Sequence, residues 1–202
     1  MFTCTQKEIE EKIDKFNWTF KVGDNIKHNL EEVFFFYKIK KENCSSVKEV
    51  RFLNKHISIT LVAIIEAILN DFIVMLGQAT NHFPKIIDSK KKDEIKKYIS
   101  KEKVLYTSKV LDRKYLRIKN YSFSQILKLL KKFELLENKE SLIYSSLEGA
   151  AEFRNRIHIY NWYFNFETDE AYVFTGKRLE VLEELFISVL SIMEEKYSRP
   201  WK

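Results

Sequence analysis

The sequence predicts an all-α fold, a helical bundle of about five or more helices. Three observations carry that reading. Only four Gly and two Pro punctuate the 202 residues, whereas sandwiches and doubly wound sheets need turn residues every ten positions or so. Hydrophobic residues make up 45% of the chain and aromatic ones 14%, enough apolar side chain for one sizeable core. One segment, Ile57 to Gly77 (ISITLVAIIEAILNDFIVMLG), is apolar on most of its circumference, as the central helix of a bundle is.

The chain reads as one helical domain over 1–202, since no internal repeat or low-complexity linker divides it. Thr5 opens the first helix, with Glu8 three residues on completing a capping-box pattern, and Ile9, Ile13 and Phe16 mark its apolar face. Residues 23–50 are ambiguous. Within them Val33 to Lys40 (VFFFYKIK) fits a short strand as well as a buried helical turn. Later helices are expected near Ser122 to Leu136, from about Ser141 to Tyr160, and from about Lys177 to Tyr197. Between the last two, the aromatic stretch near 162–175 reads as a small hairpin.

Composition also limits function. Cys4 and Cys44 are the only cysteines, and no Cys-x-x-Cys pair or Cys/His cluster accompanies them. Neither a disulfide framework nor a zinc site is expected, and no metal or cofactor is implied. The N-terminus carries no basic patch followed by an apolar run, so a cytoplasmic address is expected. Ile57 to Gly77 is long enough to raise the question of a membrane span. Glu66 and Asp71 lie well inside it, however, and each would cost roughly 2.5 to 3.5 kcal/mol near a bilayer centre. A buried bundle helix and no membrane partner are expected. Glu66 and Asn70, four residues apart, share a face with Asp71 beside them; a solvent stripe and a polar cleft both fit that pattern.

Charge is distributed unevenly along the chain, whose net formal charge is +6. Residues 85–132 carry sixteen Lys and Arg against five acids, the kind of clustering that attracts a polyanion. The candidate RNA-binding cations in this stretch are Lys90, Lys91, Lys92, Lys96, Lys97, Arg113, Lys114 and Arg117. Tyr98, Tyr106, Tyr115 and Tyr121 are interleaved with them and suit stacking on unpaired bases. A solvated helical face gives the same composition.

The chemistry-bearing segment is Glu152-Phe153-Arg154-Asn155-Arg156-Ile157-His158-Ile159-Tyr160-Asn161. On an α-helix Arg154 and His158 stand one turn apart, about 6 Å along the axis, and project to one patch. A guanidinium holds a phosphate through a fork of hydrogen bonds, and an imidazole moves a proton near neutral pH. Those are two parts of a metal-free RNA-cleaving site. Asn155 adds a neutral donor and acceptor. An Arg and His at this spacing also occur where the His only complements a helix C-terminus.

The run FRNRIHIYN, late in a helical chain and preceded by a long apolar helix with internal acids, resembles the signature helix of the HEPN family, the higher eukaryotes and prokaryotes nucleotide-binding domains. The resemblance implies a helical core over about 50–197 and a homodimer. It also implies a metal-independent endoribonuclease of a defence or toxin–antitoxin system, acting on RNA, with an antitoxin or small nucleotidyltransferase as a further partner. On this reading His158 is the general base or acid, Arg154 stabilises charge on the phosphate, and Asn155 orients the phosphate or the His. Arg156 binds the backbone or pairs across the dimer, and Glu66 is their partner from the central helix. Three residues separate Arg154 from His158, one fewer than the family's usual range. A non-catalytic HEPN-like module that binds nucleic acid or a protein partner is the alternative.

Overall fold

The computed structural model describes residues 4–16, 20–78, 89–100, 103–108, 113–118, 121–155 and 173–198. Within them the chain builds the expected helical bundle. The helices are α1 (Gln6–Phe16), α2 (Phe20–Glu42), α3 (Val47–Gln78), α4 (Ser89–Ser100), α5 (Phe123–Lys132), α6 (Leu142–Asn155) and α7 (Gly176–Tyr197). Two strands, β1 (Lys103–Ser108) and β2 (Arg113–Ile118), lie between α4 and α5.

Helix α1 starts where its capping box does. The Glu8 amide donates to Thr5 Oγ1 at 3.3 Å and the Thr5 amide to Glu8 Oε2 at 2.7 Å, so two otherwise orphaned amides are satisfied reciprocally. Ile9, Ile13 and Phe16 are all buried, as their spacing predicts.

Of the ambiguous residues 23–50, 23–42 are helical within α2, 43–46 form the connection, and 47–50 open α3. Ile26, Leu30, Val33 and Tyr37 are buried at successive spacings of four, three and four, which is the helical period and not the strand period. VFFFYKIK therefore continues a face begun seven residues earlier, and α2 packs that face on α3.

Helix α3 begins at Val47, ten residues before the expected Ile57. A second capping box fixes the start: the Glu49 amide donates to Ser46 Oγ at 3.2 Å, and the Ser46 amide to Glu49 Oε2 at 3.0 Å. By length and composition α3 could cross a membrane, since an 18-residue window within Val47–Leu76 reaches a mean hydropathy of 2.2, but 61% of that window is buried inside the fold. It packs against α2, α4, α5, α6 and α7. Leu61, Ile65, Leu69, Phe72, Ile73 and Leu76 are almost fully enclosed, each burial stabilising by about 1.5–3 kcal/mol. The buried side chains of the bundle form one contiguous cluster.

Helix α5 is capped by Ser122 and Gln125 but ends at Lys132, four residues short of the expected Leu136. Glu134 takes a left-handed backbone, with φ 51°, and the following turns are stitched by Tyr144, whose hydroxyl donates to Glu137 O at 2.8 Å and accepts from the Glu137 amide at 3.2 Å. Buried apolar residues Leu135 and Leu136 suggest helix in the sequence but pack from this turn.

Residues 103–118, read from the sequence only as part of a basic stretch, carry an antiparallel ribbon pairing Lys103 with Ile118 and Ser108 with Arg113. The expected hairpin near 162–175 lies, up to residue 172, outside the described residues, as do 156–160 of the expected helix from Ser141. Helix α7 is capped by Thr175, which accepts from the Arg178 amide at 3.3 Å.

Two polar ties bind α7 to the first helices. Glu194 takes Lys12 at 2.7 Å and Lys15 at 2.5 Å from α1, and these two cations hold its carboxyl below the usual carboxylate range. The buried Tyr37 hydroxyl of α2 donates to the buried Glu183. Desolvation, then that bond and the carboxylate charge, push the Tyr37 hydroxyl far above the ordinary tyrosine range.

Candidate functional site

The site assembles where the C-terminal turn of α6 meets the middle of α3. Arg154 lies on α6, next to its last described residue, Asn155. Its Nη1 donates to Glu66 Oε2 on α3, in a bond between partly exposed side chains, 39% and 23% accessible. Glu66, the acid expected from the central helix, thus meets Arg154, and both side chains stay partly exposed.

Aromatic packing beside this pair sets its position. Phe153 meets the Phe174 ring at 4.9 Å between centroids, edge-on. Lys55 Nζ stands 5.7 Å over the other partner, the Phe174 ring, and Asn54 Nδ2 donates to Phe174 O at 3.2 Å. Residues 173–175, where the chain enters α7, are therefore held on α3 at Asn54 and Lys55 and against Phe153 of α6. The sequence reading missed Phe153, Phe174, Lys55 and Asn54; Phe174 and Asn54 are 120 residues apart, and no local pattern links them.

Asn70 and Glu66 do not meet the same neighbour. Glu66 faces α6, whereas Asn70 lines a cleft of about 340 Å³ between α2 and α3, with Asn25, Asn29, Ala67 and Asp71. The Oδ1 atom of Asn70 is buried there and meets no hydrogen-bond donor among the described residues. Asp71 is 6% exposed, so it does not extend a solvent stripe; the polar-cleft reading describes Asn70. A second recess of about 370 Å³ lies between α6 and α7, bounded by Gly149, Glu152, Phe153, Arg178 and Leu182.

Of the other expected site residues, Asn155 is the last described residue of α6, and His158, expected as catalytic, and Arg156, expected to bind RNA, lie outside the described residues. Lys90, Lys91, Lys92, Lys96 and Lys97 all lie on α4. Arg113, Lys114 and Arg117 are on β2, where the register sets Arg117 opposite Val104, Lys114 opposite Thr107 and Tyr115 opposite Tyr106. Tyr98 packs edge-on against Phe133 at 6.4 Å, and Lys132 stands 4.8 Å over its ring; Tyr121 is buried. Among the described residues no group of three His, Cys, Asp or Glu side chains is placed to hold a metal ion. No family model matches the chain, and neither a curated protein nor a solved structure does.

Proposed function

We propose that the chain is a HEPN-like, metal-independent endoribonuclease that acts as a homodimeric defence or toxin component on RNA. The observation that carries this reading is the Arg154–Glu66 pair: the arginine of the FRNRIHIYN segment is oriented by an acid of the central helix while its side chain remains 39% accessible. A guanidinium fixed in this way has donors left for a phosphate, because it carries five N–H groups and spends few of them on one carboxylate.

In the proposed reaction His158 removes the proton of a ribose 2′-hydroxyl. The 2′-oxygen bonds to the adjacent phosphorus, the bond from phosphorus to the 5′-oxygen breaks, and a conjugate acid in the facing motif of the dimer protonates that departing oxygen. Arg154 stabilises the charge that gathers on the non-bridging oxygens, and Asn155 orients the phosphate. Arg156 and the cations of α4 and β2 hold the rest of the strand through its phosphates.

The same bond supports a second reading. Glu66 already engages Arg154, as in a purely structural tether, and the chain is then a helical module that binds nucleic acid or a protein partner without cutting. Incubation of the purified chain with single-stranded RNA in chelator separates the two. The enzyme leaves cyclic phosphate ends and fails on a strand whose attacked ribose lacks the 2′-hydroxyl; the module leaves every strand intact.

A further inference from the structure

We infer that the exposed face of α3 upstream of Glu66 is a stacking platform for single-stranded RNA, built from Phe52, His56 and Phe36 with Lys48 beside them. The inference rests on the proposed RNA substrate and names where the strand lies before it reaches Arg154.

Phe52 is 56% exposed, a large ring left in water in the second turn of α3. Its surroundings are cationic and aromatic. Lys48, one turn before it, stands with Nζ 5.7 Å from the Phe52 ring centre. One turn after it comes exposed His56, whose ring lies 5.7 Å from that of Phe36 on α2, tilted by 35°. Rings interleaved with cations are what a single strand requires, since each base offers a π-face and each nucleotide a phosphate. A protein hot spot would instead be ringed by apolar side chains that exclude water.

The helix itself links this platform to the pair. Fourteen residues separate Phe52 from Glu66, close to four turns, so both lie on one side of α3 about 21 Å apart along its axis. That span equals about six nucleotides at stacked spacing and fewer in an extended strand. Ile59 and Ala63 occupy the same side between them, both half-buried, and α3 itself carries no Asp or Glu between Phe52 and Glu66. Lys55, over the Phe174 ring that packs on Phe153, flanks it.

The test reads binding alone, with a labelled single-stranded RNA methylated at every 2′-oxygen so that it cannot be cut. Phe52→Ala should weaken binding about tenfold or more, and Phe52→Trp should restore it. Lys48→Gln should lower the slope of log affinity against log salt by about one phosphate contact. Duplex RNA, whose bases are unavailable, should bind the wild type and Phe52→Ala equally. Circular dichroism confirms that the variants are folded. Wild-type affinity in Phe52→Ala, or a change in its mass by light scattering without a change in RNA binding, overturns the platform and leaves the ribonuclease reading intact. A chain that loses affinity on Phe52→Ala but never cuts unmethylated RNA keeps the platform and overturns the enzyme. No binding to any RNA overturns both.

Discussion

The Arg154 guanidinium on α6 donates to the Glu66 carboxylate on α3, joining residues 88 positions apart at the end of one helix and the middle of another. Both side chains are partly solvated, so the bond is expected to matter more for orientation than for stability. A double-mutant cycle of Glu66→Gln and Arg154→Gln, followed by urea unfolding, should give a coupling of about 0.5–1 kcal/mol. Cleavage by Glu66→Gln should fall by more than that loss explains. A coupling of zero with unchanged cleavage would remove Glu66 from the site.

The buried Tyr37–Glu183 contact makes alkaline stability a readable quantity. The folded Tyr37 hydroxyl resists ionisation, while the unfolded side chain ionises near pH 10. The raised folded pKa means that its contribution is complete below pH 10 and is lost as pH rises above it. Urea midpoints should therefore drop above about pH 10. Tyr37→Phe should cost about 1–3 kcal/mol at neutral pH, by taking a donor from a buried carboxylate, and should show a shallower alkaline fall.

Glu194 predicts the opposite end of the pH scale. Lys12 and Lys15 hold its folded pKa down, so its contribution is present above the ordinary carboxylate pKa and is lost as pH falls through the folded value. Glu194→Gln should cost about 1 kcal/mol at pH 7, and the difference from wild type should vanish in acid. A constant difference down to the lowest pH at which the chain folds would contradict the α1–α7 tie.

How much of this was legible in the sequence differs between its parts. The Thr5–Glu8 box and the Ile9, Ile13, Phe16 face were readable because start signal and periodicity agree within one helix. The Ser46–Glu49 box carries the same signal, yet the apolar run from Ile57 drew the expected boundary ten residues late. VFFFYKIK was undecidable by itself and was settled by Ile26 and Leu30, a turn and more upstream. The end of α5 escaped because Leu135 and Leu136 are as buried as helical residues while their backbone turns at Glu134. The ribbon at 103–118 was hidden under its own charge, since a count of Lys and Arg says nothing about alternation. For the site, residue types pointed to Arg154 and Glu66, but their contact depends on how α6 lands on α3, which no local pattern encodes. The aromatic fixings at Phe153 and Phe174, and the platform at Phe52, depend on the same tertiary arrangement.

Gly149 sits inside α6, and a Cβ added there would meet no atom within 4 Å. Gly149→Ala should raise stability by about 0.5–1 kcal/mol, because glycine loses more backbone freedom on folding than alanine does. Thermal melts measure this directly. A lower melting temperature would mean that the recess between α6 and α7 is occupied in solution.

The central claim is that the FRNRIHIYN segment cuts RNA without a metal, and the direct measurement is cleavage of single-stranded RNA in chelator by wild type and His158→Ala, with binding recorded on the same samples. Wild type should cut and leave cyclic phosphate ends, and His158→Ala should be slower by about a hundredfold or more while binding with wild-type affinity and salt dependence, since phosphate contacts elsewhere supply most of the affinity. Arg154→Lys should be slowed as well, because an ammonium lacks the planar fork. RNA that is bound with steep salt dependence yet never cut, by wild type or variant, would contradict the enzyme and leave a binding module.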